Sequence, residues 1–166
     1  MSSERYVVVC VGNRFRRDDS AGLYVAERLQ DRVPERVEIR TLEGEPTTLL
    51  DVFASAELVI LVDAVATATV PGLIQRFDAT DEPVPGSVFG ASTHAFGLGE
   101  TIELARTLGK LNGRILVYGI TGEDFDAGEG LSASVAEATE RLTLEILDRL
   151  AELVPQTAEP NGANRA

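Results

Sequence analysis

The chain has 166 residues, 44% hydrophobic and 25% charged, which suits one ordinary folded domain and not a disordered segment. Lys and Arg number 15 against 27 Asp and Glu, and the resulting charge of -12 repels phosphate, arguing against nucleic acid or an anionic membrane as partner. One cysteine excludes an internal disulfide framework and an intrachain thiolate zinc cage, and one histidine means that any imidazole chemistry uses His94.

Tyr6 to Val11 reads YVVVCV, a β-branched run that predicts a strand buried on both faces. Gly12-Asn13 ends it. Ala21, Val25 and Leu29 then recur at helical spacing, with Asp18, Asp19 or Ser20 as candidate caps. Val37 to Leu42 alternates, as a strand nearer a sheet edge does. Pro46 suits a first helical turn, and Leu49, Leu50 and Phe53 give a short helix its apolar side. Glu57 to Asp63 reads ELVILVD, a buried strand that ends in a carboxylate. Pro71-Gly72 predict a turn, and Leu73 to Phe77 a further strand. Asp78 to Gly90 reads as an acidic loop. Leu98, Ile102, Ala105 and Leu108 predict a helix closed by Gly109, followed by the apolar strand Arg114 to Ile120. Ser134 and Glu137 have capping-box spacing. Val135, Ala138, Leu142, Ile146, Leu150 and Leu153 then mark a long amphipathic helix.

Strands alternating with helices predict an α/β fold: a three-layer α/β/α sandwich around a twisted, mostly parallel sheet. A single domain is expected over residues 1–154, with residues 155–166 a disordered tail. The N-terminus carries no signal-peptide pattern, and no apolar run approaches the roughly 20 residues of a membrane helix, so a cytoplasmic monomer is expected.

Ligands of such sheets bind beyond the carboxyl ends of the strands. Asp18-Asp19, Asp63 and His94 all fall just after apolar segments. Two carboxylates and an imidazole suit a divalent metal such as nickel or zinc and leave coordination positions open. Each has a plain alternative: a helix cap for the paired aspartates, a backbone acceptor for Asp63, a surface turn for His94. Cys10 with His94 as base is a conceivable nucleophile, but a cysteine inside an apolar strand more often acts as a small buried hydrophobe. The chain contains no G-x-G-x-x-G after the first strand and no phosphate-binding G-x-x-x-x-G-K-[ST]. The G-x-S-x-G of serine hydrolases and the H-E-x-x-H of zinc proteases are absent too.

Four segments in order carry a resemblance: CVGNRFRRDDSAG, LVDAV, STHAFGLGETIELA and YGITGEDFDAGEGLSASV. Together they resemble the hydrogenase maturation proteases, over about Tyr6 to Val154. The resemblance implies an endopeptidase that removes a short C-terminal peptide from the [NiFe] hydrogenase large-subunit precursor once nickel is inserted. It places the metal-contacting, catalytic positions at Asp19, Asp63 and His94. The metal is nickel carried by the substrate, although other divalent metals fit the same ligands. Gly12, Asn13, Asp18 and Gly22 match the rest of the first-loop motif, and Gly44 matches a glycine after the second strand. Gly12, Asn13, Asp18 and Gly44 are then expected to contact substrate. The expected partner is the precursor, with neither nucleic acid nor membrane insertion. The alternative is a non-proteolytic metal-sensing or chaperone module on the same precursor.

Two features depart from the family pattern. Ser20 stands where many members have glycine, and Arg14, Arg16 and Arg17 make the first loop basic. Those arginines either meet an acidic segment of the precursor or simply solubilise a loop beside two aspartates. As a helix cap, Asp18 would be worth about 1 kcal/mol.

Overall fold

Side-chain alternation along β1 (Tyr6–Val11) sets the layers, because all six of its residues are buried. The computed structural model describes residues 4–44, 46–66, 69–86 and 97–156. Tyr6, Val8 and Cys10 point into one core, with Val25 and Leu29 of α1 (Ala21–Leu29) and Leu142 and Ile146 of α4 (Ala133–Leu153). Val7, Val9 and Val11 point into a second core on the opposite face. There they meet Phe53 of α2 (Leu50–Ser55) and Ile102 of α3 (Leu98–Thr107). A two-residue period thus divides one strand between two helical layers, giving the expected three-layer α/β/α sandwich.

The sheet has five strands in the order β2-β1-β3-β5-β4, with β2 at Val37–Leu42, β3 at Leu58–Val65, β4 at Ile74–Asp78 and β5 at Arg114–Thr121. The first four are parallel, and β4 runs antiparallel to β5 at the edge. The apolar runs of β1, β3 and β5 occupy the centre. The alternating β2 lies at one edge, where half of its residues need no cover.

Several local expectations change. β3 continues two residues past Asp63, to Val65. None of the polar residues before α1 caps it by a side chain: a 3-10 turn over Arg17–Ser20 leads in, and the Ser20 hydroxyl donates to the Arg17 carbonyl at 2.6 Å. The N-cap of α4 is Ser132, ahead of the expected capping box at Ser134. Leu108 is exposed just beyond the end of α3, and Gly109 with φ +67° closes that end as expected. Residues 87–96 of the acidic loop and His94 segment, and residues 157–166 of the expected tail, lie outside the described residues. Among the described residues, no helix is long and apolar enough to cross a membrane.

Candidate active site at the carboxyl rim of the sheet

The first loop is folded back on itself by backbone contacts. Gly12 N donates to Leu42 O at 3.0 Å, at the end of the neighbouring strand, and Asn13 N donates to Asp19 O at 3.1 Å. A Cβ on Gly12 would stand 2.5 Å from Asp19 O, so no other residue fits without moving Asp19. Gly22 meets the same demand within α1, since its Cβ would approach Val11 O at 2.4 Å and Val62 O at 3.1 Å. Absence of a side chain lets α1 press its start against the ends of β1 and β3. The Asn13 side chain accepts from Phe15 N at 3.0 Å. Gly12 and Asn13 therefore shape the loop that carries Asp19. Gly44 has open space around its Cβ position and is exposed, so no packing demand in the structure explains a glycine there.

Asp18 and Asp19 are neighbours with different environments. Asp18 is fully buried. Its carboxylate accepts from Glu123 N at 2.8 Å, Asp124 N at 2.9 Å, Ser132 N at 2.8 Å and Ser132 Oγ at 2.7 Å. Its own backbone N donates to Asp124 O at 2.9 Å. Burial alone pushes this carboxyl up, but the bonds from Ser132, Asp124 and Glu123 outweigh it and hold the group below the usual carboxylate value. Both oxygens are engaged, so the expected substrate contact and the expected cap are replaced by a clasp. Asp18 ties the first loop to the loop after β5, which runs over residues 122–132.

Asp19 is on the accessible side of the same turn, with Arg16 Nη1 at 4.0 Å from its carboxylate. Asp63 comes from β3, in register with Gly119 of β5, which has no side chain to crowd it. Burial first, and the charge of nearby Asp19 second, push the Asp63 carboxyl well above the usual carboxylate range. The sheet thus brings two of the three expected ligands within electrostatic reach of each other. The third, His94, lies outside the described residues. Among the described residues, no three His, Cys, Asp or Glu side chains form a group that could hold a metal. The carboxylate pair alone still suits a cation, because like charges held together in partial burial are relieved by a positive ion between them.

On the helix layer beside this pair, Arg106 near the end of α3 donates to Ala79 O at 2.7 Å and Thr80 O at 2.8 Å, at the foot of β5. The opposite end of α3, opened by Gly97, therefore faces the carboxyl rim. Cys10 is fully buried, and burial pushes its thiol up to about 12. It remains a protonated core side chain, not a nucleophile. Nor is the arginine-rich loop a bare basic patch: Arg16 faces Asp19, and Arg17 lies 3.5 Å from Asp124.

Sequence reasoning missed Ser132 and the loop after β5. The glycine- and acid-rich stretch there signals a loop, but nothing local shows that its amides point at a carboxylate 114 residues away.

Known proteins share both this sequence pattern and this geometry. The family profile described as HycI, hydrogenase maturation protease, matches residues 23–149. The hydrogenase 2 maturation protease of Escherichia coli (strain K12) is 27% identical over 152 residues, covering 89% of this chain and 92% of that protein. The solved structure of the hydrogenase maturating endopeptidase HybD from Escherichia coli superposes with a TM-score of 0.74 at 27% identity, covering 89% of this chain and 93% of that one. A [NiFe] hydrogenase maturation protease HycI from Thermococcus kodakarensis gives 0.70 at 26% identity, covering 89% of this chain and 92% of that one. The chain belongs to the hydrogenase maturation protease family and is a protease.

Proposed function

We propose that this protease cuts a short C-terminal peptide from the [NiFe] hydrogenase large-subunit precursor after nickel insertion, and reads the nickel through Asp19, Asp63 and His94. The observation that carries the reading is the approach of Asp19 to Asp63 at the carboxyl rim, close enough for one charge to raise the other's pKa. The nickel belongs to the substrate. Two carboxylates and an imidazole, without thiolate, hold a cation weakly and leave positions open for ligands that the precursor brings. Engagement then requires a precursor that already carries the metal, and docking fixes the scissile bond relative to the rim. Positioning of this kind removes much of the entropic part of a barrier.

The test is a mass measurement on a nickel-loaded precursor incubated with the wild-type protein, Asp63→Asn and His94→Ala. The wild type releases one C-terminal peptide, and both variants stay folded and release none. Processing at the wild-type rate in either variant removes the ligand assignment. A wild type that binds without releasing a peptide supports the chaperone alternative.

A further inference from the structure

Five large hydrophobic side chains are exposed among the described residues, and their distribution is uneven. Phe15 (65% exposed), Val70 (72%) and Leu73 (46%) all stand on loops at the carboxyl rim that carries Asp19 and Asp63. Leu108 lies past the end of α3, at the opposite pole, and Leu144 lies along α4. A single exposed leucine needs no explanation, but a group on one functional edge does.

These loops are fixed rather than loose. Phe15 N donates to Asn13 Oδ1 at 3.0 Å, and Phe15 O accepts from Gly128 N at 2.8 Å. The next residue but one is held too, with Arg17 N donating to Gly128 O at 3.0 Å. On the other side, Gly72 N donates to Thr121 O at 2.7 Å, and Thr121 N donates to Leu73 O at 2.9 Å. Thr121 ends β5 and runs directly into the loop that grips Phe15. The rim is therefore one connected backbone frame, and it presents apolar side chains to solvent at fixed positions. An aromatic anchor on a pre-ordered backbone is the kind of group on which binding energy concentrates.

Resting on the proposed function, we infer that Phe15, Val70 and Leu73 form an apolar docking edge that seats an apolar surface of the folded, nickel-loaded precursor. The edge is continuous with the carboxylate pair, so whatever presents a metal to Asp19 and Asp63 approaches across it. Charge favours the same occupant. The chain carries -12 overall, and Arg16 and Arg17 face Asp19 and Asp124, so the rim offers an acidic partner little net attraction. Contact made by burial of apolar surface keeps its strength in salt.

Affinity for the purified nickel-loaded precursor separates the possibilities, measured alongside melting curves and peptide release. Phe15→Asp is expected to weaken binding by about tenfold or more, and adding Val70→Asp to weaken it further. Melting temperature and the single-turnover rate at saturating precursor stay at wild-type values, so KM moves and kcat does not. Leu144→Asp leaves affinity unchanged. Raising salt from about 50 to about 500 mM changes wild-type affinity by less than about threefold. If the wild type cuts the precursor while the double variant binds it within about twofold of wild type, the docking edge is overturned and the function stands. If the wild type neither binds nor cuts, the functional reading falls and takes the docking edge with it. Phe15→Ser repeats the measurement without an added charge, and wild-type affinity in that variant likewise overturns the inference.

Discussion

Two regions at the carboxyl end of the sheet treat their carboxylates in opposite ways. At the clasp, Asp18 is enclosed and meets donors from Glu123, Asp124 and Ser132, which lower its pKa despite burial. At the rim, Asp63 is driven the other way by burial and by Asp19. Protein donors satisfy the first carboxylate, so it serves the fold. The second is held beside another negative charge at a cost in stability, the usual sign of a group kept for a ligand. The two are coupled, because Asp19 directly follows the residue that is clasped.

The largest expected effect is therefore on the clasp. Asp18→Asn replaces an acceptor by an amide whose NH2 must face N–H donors, in a fully buried site. The expected loss is about 3–5 kcal/mol, well beyond that of a helix cap. For a chain of this size it reads as a fall in Tm of about 10 °C or more. The pH dependence has a definite sign. Because the folded pKa lies below the ordinary 3.8, Asp18 contributes its full stability above that value and loses it as pH falls through the folded pKa. The variant should accordingly show a flatter loss of Tm on acidification than the wild type. Equal acid slopes would place the clasp's stability elsewhere.

Asp63→Asn tests the opposite region. The raised folded pKa means that ionising Asp63 destabilises the fold as pH rises above the ordinary carboxylate value. Removing the charge should raise Tm at neutral pH by about 2–4 °C, the shift that about 1 kcal/mol gives at this size. Near pH 3 to 4, where the unfolded carboxyl is itself protonated, the gain should vanish. A variant that gains stability and loses processing would separate function from fold at one side chain. A neutral-pH Tm below wild type would show that Asp63 is satisfied by its surroundings, and the contrast with Asp18 would fail.

The sequence made one of these regions more legible than the other. Central strands announced themselves through continuous apolar runs, and Asp63 stood out because such a run seldom carries a carboxylate. β-branched composition does not encode direction, so nothing in Leu73 to Phe77 showed that β4 runs antiparallel. Asp18 looked like a cap because capping is a local rule, whereas its partners depend on where the end of β5 falls in the folded sheet. The exposure of Phe15 was hidden for the same reason: an aromatic among arginines reads alike whether it turns inward or outward.

Ser132 and Ser134 repeat the contrast on a smaller scale, two residues apart. The Ser132 hydroxyl donates to Asp18 at 2.7 Å. The buried Ser134 hydroxyl has no hydrogen-bond partner among the described residues. Its backbone is pinned from the other side, since a Cβ on Gly72 would stand 2.7 Å from Ser134 O, and the hydroxyl has little freedom to seek solvent. An unsatisfied buried hydroxyl opposes folding, so Ser134→Ala should be neutral or stabilise by up to about 1 kcal/mol. Ser132→Ala leaves a charged acceptor short of one donor and should cost about 1–3 kcal/mol. Thermal melts of the two alanine variants measure the difference directly. Similar losses in both would mean that the Ser134 hydroxyl is satisfied after all, and that position in the helix start, not the bond to Asp18, sets the worth of these serines.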